Sequence, residues 1–339
     1  MDYLKPAFDN FLNDQGTVEI AGYSFCRDTI LREMEAVGYN EAFLEWCEQR
    51  KGNNLSSAEE ILDQFNSNSA RFRKLKEIYG RGAITPFVGA GMSIPSGYPG
   101  WTAFLYRVLA ETRIPPEKFN ELILSGKYEE AAETLHDDLP PGCFLEHVEN
   151  EFGADQEVSG PVQRLPHLFN GAVITTNFDD VLTKTYSSAG YEFNEVIEGA
   201  DAVEFPRLLG ENKRVLVKLH GKANSSRKRV LTKSEYDRHY EDDQALESVI
   251  EAISTRSLLF IGCSLTVDRT LECLGRIADR KGVENVPRHY AFLKLNDKED
   301  RLARRDELAK ANIYPIWYTD NHDESLEALL EALAQGQDA

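Results

Sequence analysis

Six short runs of apolar and β-branched residues recur along the chain, at 84–88, 172–175, 215–219, 257–261, 289–295 and 313–317. Each is dense and nearly free of polar interruption, as a strand buried on both faces must be. Between and after them, at 179–189, 243–255, 266–280, 298–311 and 323–334, apolar positions return every three or four residues, the period of one helix face. This alternation predicts an α/β fold built on a doubly wound, mostly parallel, Rossmann-like sheet over residues 81–339. About eighty residues separate the first two strands, far more than one crossover needs. Residues 102–170 carry four or five helical patterns, which predicts a helical insertion over one edge of the sheet.

Residues 1–80 have a different texture. Helical spacing at 4–13, 27–37, 40–50, 56–64 and 69–79 predicts an N-terminal helical region, the last helix ending at Gly80 as a C′ glycine. Its apolar positions, among them Phe8, Phe11, Leu12, Ile30, Leu31, Met34, Phe43 and Trp46, come with no catalytic constellation. The region is therefore assigned to packing and to oligomer or partner contacts.

Composition narrows the class. With 42% hydrophobic and 28% charged residues the chain reads as globular. No apolar run reaches the ~18 residues of a membrane span, so no membrane association is expected. The start, MDYLKPAFDN, lacks the basic and apolar segments of a signal peptide. Five scattered cysteines, Cys26, Cys47, Cys143, Cys263 and Cys273, never fall in a C-x-x-C pair. Neither a disulfide framework nor a zinc ribbon is expected, and a reducing cytoplasm fits. Against 57 Asp and Glu stand 38 Lys and Arg, a net charge of −19. Phosphate backbones repel such a chain, which argues against direct non-specific nucleic-acid binding. One basic cluster, SSRKR at 225–229, reads as a solvated loop more readily than as an anion funnel.

The chemistry collects where strands end. The run ITPFV leads into Gly89-Ala90-Gly91, a turn whose backbone can approach a pyrophosphate closely, with Ser93 adding a hydroxyl. Glycine turns after strands are commonplace, so this signal alone is weak. Residues 94–100 are too rich in Pro and Gly for a core, which favours a segment folding over a ligand. The second strand ends in Thr175-Thr176-Asn177 before Asp179-Asp180. One such polar residue is explained by helix capping; four in succession exceed what a cap requires. The third, VLVKLHG, places His220 at its carboxyl end, and histidine is the usual general base near neutral pH. The fourth runs into Gly262-Cys263-Ser264, small residues suited to a backbone lying against ribose or phosphate. Cys263 has no histidine near it in sequence and reads as a packed thiol rather than a nucleophile.

In this order, GAGMS, TTNFD, KLHG and GCSL resemble the sirtuin family of NAD-consuming enzymes, and among them the sirtuin-like proteins of bacterial anti-phage defence. The resemblance spans roughly residues 81–320. It implies that Gly89, Ala90, Gly91 and Ser93 hold the NAD pyrophosphate. It sets Asn177 beside the nicotinamide ribose, with Thr176 among the cofactor-binding residues, Asp179 at the nicotinamide pocket and His220 as the catalytic histidine. Gly262 and Ser264 would contact the adenosine-side ribose and phosphate, and Asn296, ending YAFLKLN, the adenosine ribose. The loop 92–100 would be the segment that closes over the dinucleotide.

Two departures bear on the reaction. Sirtuin deacylases carry a four-cysteine zinc module that these cysteines cannot build, so no zinc is expected. Their loop continues with a proline and an aromatic–arginine pair, whereas this chain reads IPSGYPGW. The expected activity is hydrolysis of NAD+ to nicotinamide and ADP-ribose, with depletion of cellular NAD during infection as its output. A protein deacylase and a non-catalytic NAD or ADP-ribose sensor are the alternatives. A constitutively active NAD hydrolase would be toxic to its own cell, so a homo-oligomer and a separate activator or sensor chain are expected, a HerA-like hexameric ATPase being one partner type that the resemblance implies.

Overall fold

The computed structural model describes residues 2–335 apart from 200–203, 212, 226–228, 239–244, 267–268 and 297–298. The expected helical patterns reach into the last three of these gaps at residues 243–244, 267–268 and 298, which therefore lie outside the described residues. In chain order, the N-terminal part comprises α1 (Lys5–Asn13), β1 (Thr17–Ile20), β2 (Tyr23–Cys26), α2 (Arg27–Met34), α3 (Ala36–Asp63) and α4 (Asn68–Tyr79). Then come β3 (Ile84–Val88), α5 (Trp101–Leu109), α6 (Pro116–Leu124), α7 (Tyr128–Asp138), α8 (Cys143–Phe152) and α9 (Leu165–Leu168). The chain continues through β4 (Val173–Thr175), α10 (Val181–Ser188), β5 (Glu195–Glu198), α11 (Phe205–Gly210), β6 (Val215–Lys218), α12 (Lys233–Asp237) and α13 (Ala245–Ile253). It closes with β7 (Ser257–Ile261), α14 (Arg269–Lys281), β8 (His289–Lys294), α15 (Arg301–Lys310), β9 (Ile313–Tyr318) and α16 (His322–Ala334).

Seven strands form one sheet in the order β5-β6-β4-β3-β7-β8-β9, every neighbouring pair parallel. All six expected strands are in it. The seventh, β5, was not expected: EVIE holds two apolar residues between two glutamates, the charged composition of an edge strand. Helices cover both faces, as an all-parallel sheet requires, giving the doubly wound, Rossmann-like α/β fold. Among the described residues no helix is long and apolar enough to cross a membrane.

The N-terminal part departs from the expected run of helices. TVEIAGYSFC alternates apolar and polar residues around Ala21-Gly22 and forms the antiparallel hairpin β1-β2. Val18, Ile20, Tyr23 and Phe25 share one face, with Ile20 opposite Tyr23 and Val18 opposite Phe25. That face is open, Tyr23 being 70% exposed. The helices expected at 40–50 and 56–64 are one, α3, which runs through Gly52 without a break. The chain leaves α4 at Gly82 rather than Gly80. Gly80 keeps a right-handed helical φ of −60°. Gly82 takes φ of +66° while its N–H bonds Tyr79 O and the Ala83 N–H bonds Ile78 O, a Schellman stop.

Packing divides this region within α3. Phe8, Tyr39, Phe43, Trp46 and Cys47 form a satellite cluster, whereas Ala58, Ile61, Phe72 and Leu75 belong to the main core under the sheet. Arg50 binds Glu327 of α16 through two nitrogens, at 2.7 and 2.6 Å, and so ties α3 to the C-terminal helix.

Helix α4 also seals the exposed edge of β9. Outward-facing residues of that strand are Pro315, which has no N–H to satisfy, and Trp317. Arg71 donates to Pro315 O. The fully buried Asn68 amide imitates a neighbouring strand: its Nδ2 donates to Trp317 O at 2.8 Å and Ile61 O at 2.9 Å, and its Oδ1 accepts the Trp317 N–H at 3.0 Å. Asn68→Ala leaves those buried groups without partners and is expected to cost about 2–4 kcal/mol. Chemical denaturation checks it; a loss under about 0.5 kcal/mol, the usual range for surface changes, would show that the edge is not held by this amide.

Candidate active site

The four strand ends singled out in the sequence are neighbours in space. The order β6-β4-β3-β7 sets the segments bearing His220, Asn177, Gly89 and Gly262 side by side on the carboxyl edge of the sheet. Thr175 pairs with Lys218, and the Leu219 N–H bonds Thr175 O at 2.9 Å. Asn177 and His220 thus each lie two residues beyond the same paired position. In open α/β sheets, ligands bind in the crevice at this edge, where the strand order reverses; here β3 is that point, with β4 on one side and β7 on the other.

The two glycine turns grip each other. Gly89 N–H donates to Ile261 O and Gly91 N–H to Gly262 O, both at 2.9 Å. A Cβ on Gly89 would lie 2.5 Å from Gly262 O, and one on Gly262 would lie 2.7 Å from the Met92 backbone nitrogen. Glycine is needed here because backbone meets backbone, a reason the sequence did not show. Ala90 stays half-buried at the rim, and Ser93 turns inward to 3% exposure.

Ser93 meets the second segment. Asn177 Nδ2 donates to Ser93 Oγ at 3.1 Å, while the Asn177 N–H bonds Thr175 Oγ1 at 3.0 Å, and that hydroxyl donates to Val88 O at 2.7 Å. Capping does not account for Asn177: the bond to the start of α10 comes from Asp179, whose Oδ1 accepts the Val181 N–H at 3.0 Å. Thr176 is half-buried beside them. Burial raises the Asp179 carboxyl pKa, opposed by Lys218, by its backbone bond and by the Ser93 hydroxyl.

Lys218 is a residue the sequence reading passed over, although a lysine inside VLVKLH was a visible anomaly. It is 1% exposed, and its Nζ reaches under the loop to Phe178 O at 3.1 Å, to Asp179 O, and to Asp180 Oδ1 at 3.5 Å. The cost of burying an ammonium lowers its pKa, and the two aspartates oppose that shift. The result is a rod of positive charge that fixes the carbonyls of 178–179.

His220 is 7% exposed, and burial pushes its pKa down to about 3. Its carbonyl accepts the Val230 N–H at 3.1 Å, and its Nδ1 lies 3.2 Å from Tyr236 Oη, the two rings edge to face. Tyr236 comes from α12, whose significance the sequence did not reveal.

The remaining expected residues lie further out. Ser264 and Asn296 are exposed on the rim, Ser264 Oγ within 3.2 Å of Thr266 Oγ1 and the Asn296 N–H towards Glu299. Cys263 lies against Phe87 O and Ile261 O, as a packed thiol would. Of the basic cluster, residues 226–228 lie outside the described residues. Arg229 itself departs from the solvated-loop reading: it is 2% exposed, donates to Ala223 O and pairs with Glu149 of α8 at 3.2 Å. His322, at the start of α16, was also missed. Its Nδ1 is 2.6 Å from Tyr318 Oη, and its Nε2 lies so near Gly91 that a Cβ there would come within 2.7 Å. Two open cavities, about 290 and 550 Å³, lie away from this crevice, beside β5 and α11 and at the amino ends of β3 and β4. The second is at the wrong end of the sheet for ligand chemistry of this fold. Among the described residues no group of three or more His, Cys, Asp or Glu is placed to hold a metal ion.

Residues 171–316, which include Thr176, Asn177, Asp179, His220 and the β7 turn, match the family model described as SIR2-like domain. The chain is 25% identical over 241 residues to NAD(+) hydrolase ThsA of Enterococcus faecium, covering 69% of this chain and 48% of that one. It is 26% identical over 212 residues to NAD(+) hydrolase ThsA of Cytobacillus dafuensis, covering 62% and 41%. Defense-associated sirtuin 2 of Bacillus subtilis is 23% identical over 221 residues, covering 64% of this chain and 21% of that protein. The chain thus matches less than half the length of these relatives. In strand order and in the composition of its carboxyl edge the chain is thus similar, over residues 171–316, to the SIR2-like domain, and it resembles proteins named NAD(+) hydrolase and defence-associated sirtuin.

Proposed function

We propose that this crevice hydrolyses the N-glycosidic bond of NAD+, releasing nicotinamide and ADP-ribose, and that the chain depletes NAD in anti-phage defence. The observation that carries the reading is the placement of Ser93, Asn177 and His220 past the carboxyl ends of the successive strands β3, β4 and β6, with Ser93 and Asn177 hydrogen-bonded, on a framework similar to proteins named NAD(+) hydrolase. The glycosidic C–N bond breaks with its electron pair going to the pyridinium nitrogen, so nicotinamide leaves neutral and no strong acid is needed. Positive charge develops on the ribose, as in other glycoside cleavages. A water oxygen then bonds C1′, and its proton passes to His220 and on to solvent. Asn177, anchored by Ser93, holds the ribose hydroxyls or that water. Ala90 and Ser93 meet the pyrophosphate, while Gly89, Gly91 and Gly262 keep the two turns beneath it together. Asp179 lines the nicotinamide pocket, and Ser264 and Asn296 face the adenosine side. The fit is good at the reacting end, where the polar side chains are buried and preorganised.

Assembly is part of the proposal: a homo-oligomer joined through residues of the N-terminal region, and a separate activating chain. The open apolar face of β1-β2, with Met34 70% exposed nearby in sequence, supports it.

His220→Ala is expected to lower NAD+ cleavage by ~10²–10⁴-fold, the range for a lost general base, with the fold intact. Asn177→Ala is expected to lose about 10²-fold or more through misplacement of the reacting groups, for about 1 kcal/mol of stability. Nicotinamide release, measured beside thermal melting, checks both; an active but destabilised Asn177→Ala would return that residue to a packing role.

The pH dependence has a definite sign. With its pKa lowered from 6.5 to about 3 by burial, His220 stays neutral across the physiological range, and so weak a base takes its proton from the strongly acidic oxonium formed once water has bonded C1′. Hence kcat/KM is expected to show no decline through the ordinary histidine range. A tenfold loss per pH unit starting near 6.5 that follows the imidazole resonance of His220 would contradict this.

A further inference from the structure

Helix α12 is an odd element. It has five residues, none of them buried, yet its position is fixed from three directions. Thr232 and Glu235 close a capping box at its start. Glu133 of α7 accepts from Ser234 N–H at 2.9 Å and from Ser234 Oγ at 3.1 Å. Arg269 of α14 binds Asp237 at 2.6 Å and Glu129 of α7 at 2.9 Å, joining α12, α14 and the inserted helices in one ion network. Apolar packing alone does not hold so short a helix, so polar ties from two other elements set where Tyr236 stands. The ring of Tyr236 meets His220 edge to face at 82°, centroids 5.0 Å apart, and its Oη is within hydrogen-bond distance of Nδ1.

We propose that Tyr236 is the positioning residue of His220, its phenol oxygen accepting the Nδ1 proton so that Nε2 carries the lone pair. Which nitrogen of a neutral imidazole is protonated is set by the bond the other makes. If the phenol instead donated to Nδ1, the proton would sit on Nε2, and that nitrogen could take none from water. With Nδ1–H bonded to Tyr236, Nε2 gains the proton of the attacking water, and the imidazolium so formed keeps its bond to the phenol oxygen. The inserted helix α7, through Glu133 and the Arg269 network, thereby helps to orient the reacting histidine. The inference rests on His220 acting as the base, since that role selects which of the two partners donates; the ¹⁵N spectrum reads the tautomer whichever way activity falls.

The test is ¹⁵N NMR of the histidine-labelled full chain, beside steady-state kinetics of Tyr236→Phe. Nδ1 of His220 is expected to be protonated and Nε2 not in the wild-type protein. Tyr236→Phe keeps the ring and should melt like the wild type, yet shift the tautomer towards Nε2–H. Its kcat should fall about 10- to 100-fold, the size of effect seen when a metal-bound imidazole loses its orienting partner, with KM little changed. An unprotonated Nδ1 in the wild type overturns the proposal whether or not the variant folds. So does a folded Tyr236→Phe with unaltered tautomer and kcat. If His220→Ala cleaves NAD+ normally, the base reading fails, while the wild-type ¹⁵N spectrum still decides the tautomer.

Discussion

The close contact between the turn after β3 and the turn after β7 is what the rest of the molecule depends on. Two backbone hydrogen bonds, from Gly89 to Ile261 and from Gly91 to Gly262, carry the sheet pairing past the ends of both strands. They do so where the sheet divides, with β4, β6 and β5 on one side and β8 and β9 on the other. A side chain at Gly89 or Gly262 would force the turns apart. The crevice would then lose its floor, and Ser93, four residues beyond Gly89, would no longer meet Asn177.

From that floor the site is built by charges and dipoles that water does not reach. Lys218 holds the carbonyls of Phe178 and Asp179, so the loop carrying Asn177 cannot relax away from the sheet. Ser93 bridges Asn177 on one side and moderates the burial of the Asp179 carboxyl on the other. Buried polar groups demand such partners, and meeting that demand also fixes their geometry. His220 is treated differently. Burial keeps it neutral, and its backbone and ring are constrained by Val230 and Tyr236.

The sheet and the main site segments were legible because their signals are local. A buried parallel strand must be continuously apolar, and a polar cluster at its end stands out; TTN after AVI and H after VLVKL did so. What was not legible depends on contacts distant in sequence. Tyr236 and Arg229 acquire meaning only once the chain returns beside His220 and α8. Lys218 was visible as a misfit but needed the loop above it to explain it. The hairpin β1-β2 was missed although TVEIAGYSFC alternates plainly, because apolar residues on both sides have helical spacing. Gly52 lies between the helices expected at 40–50 and 56–64, yet packing of α3 against α16 overrides the weak helix preference of glycine and makes them one. The glycines of the two turns were noticed for a ligand's sake, when the first thing pressed against them is the protein itself.

The central claim is that this edge of the sheet breaks NAD+ using water alone. A proton NMR time course of NAD+ with the purified full chain, free of any acylated peptide, tests it most directly. Nicotinamide and ADP-ribose should rise in equal amounts as NAD+ disappears. Nicotinamide released only when an acylated lysine peptide is added would contradict the account and make the chain a deacylase.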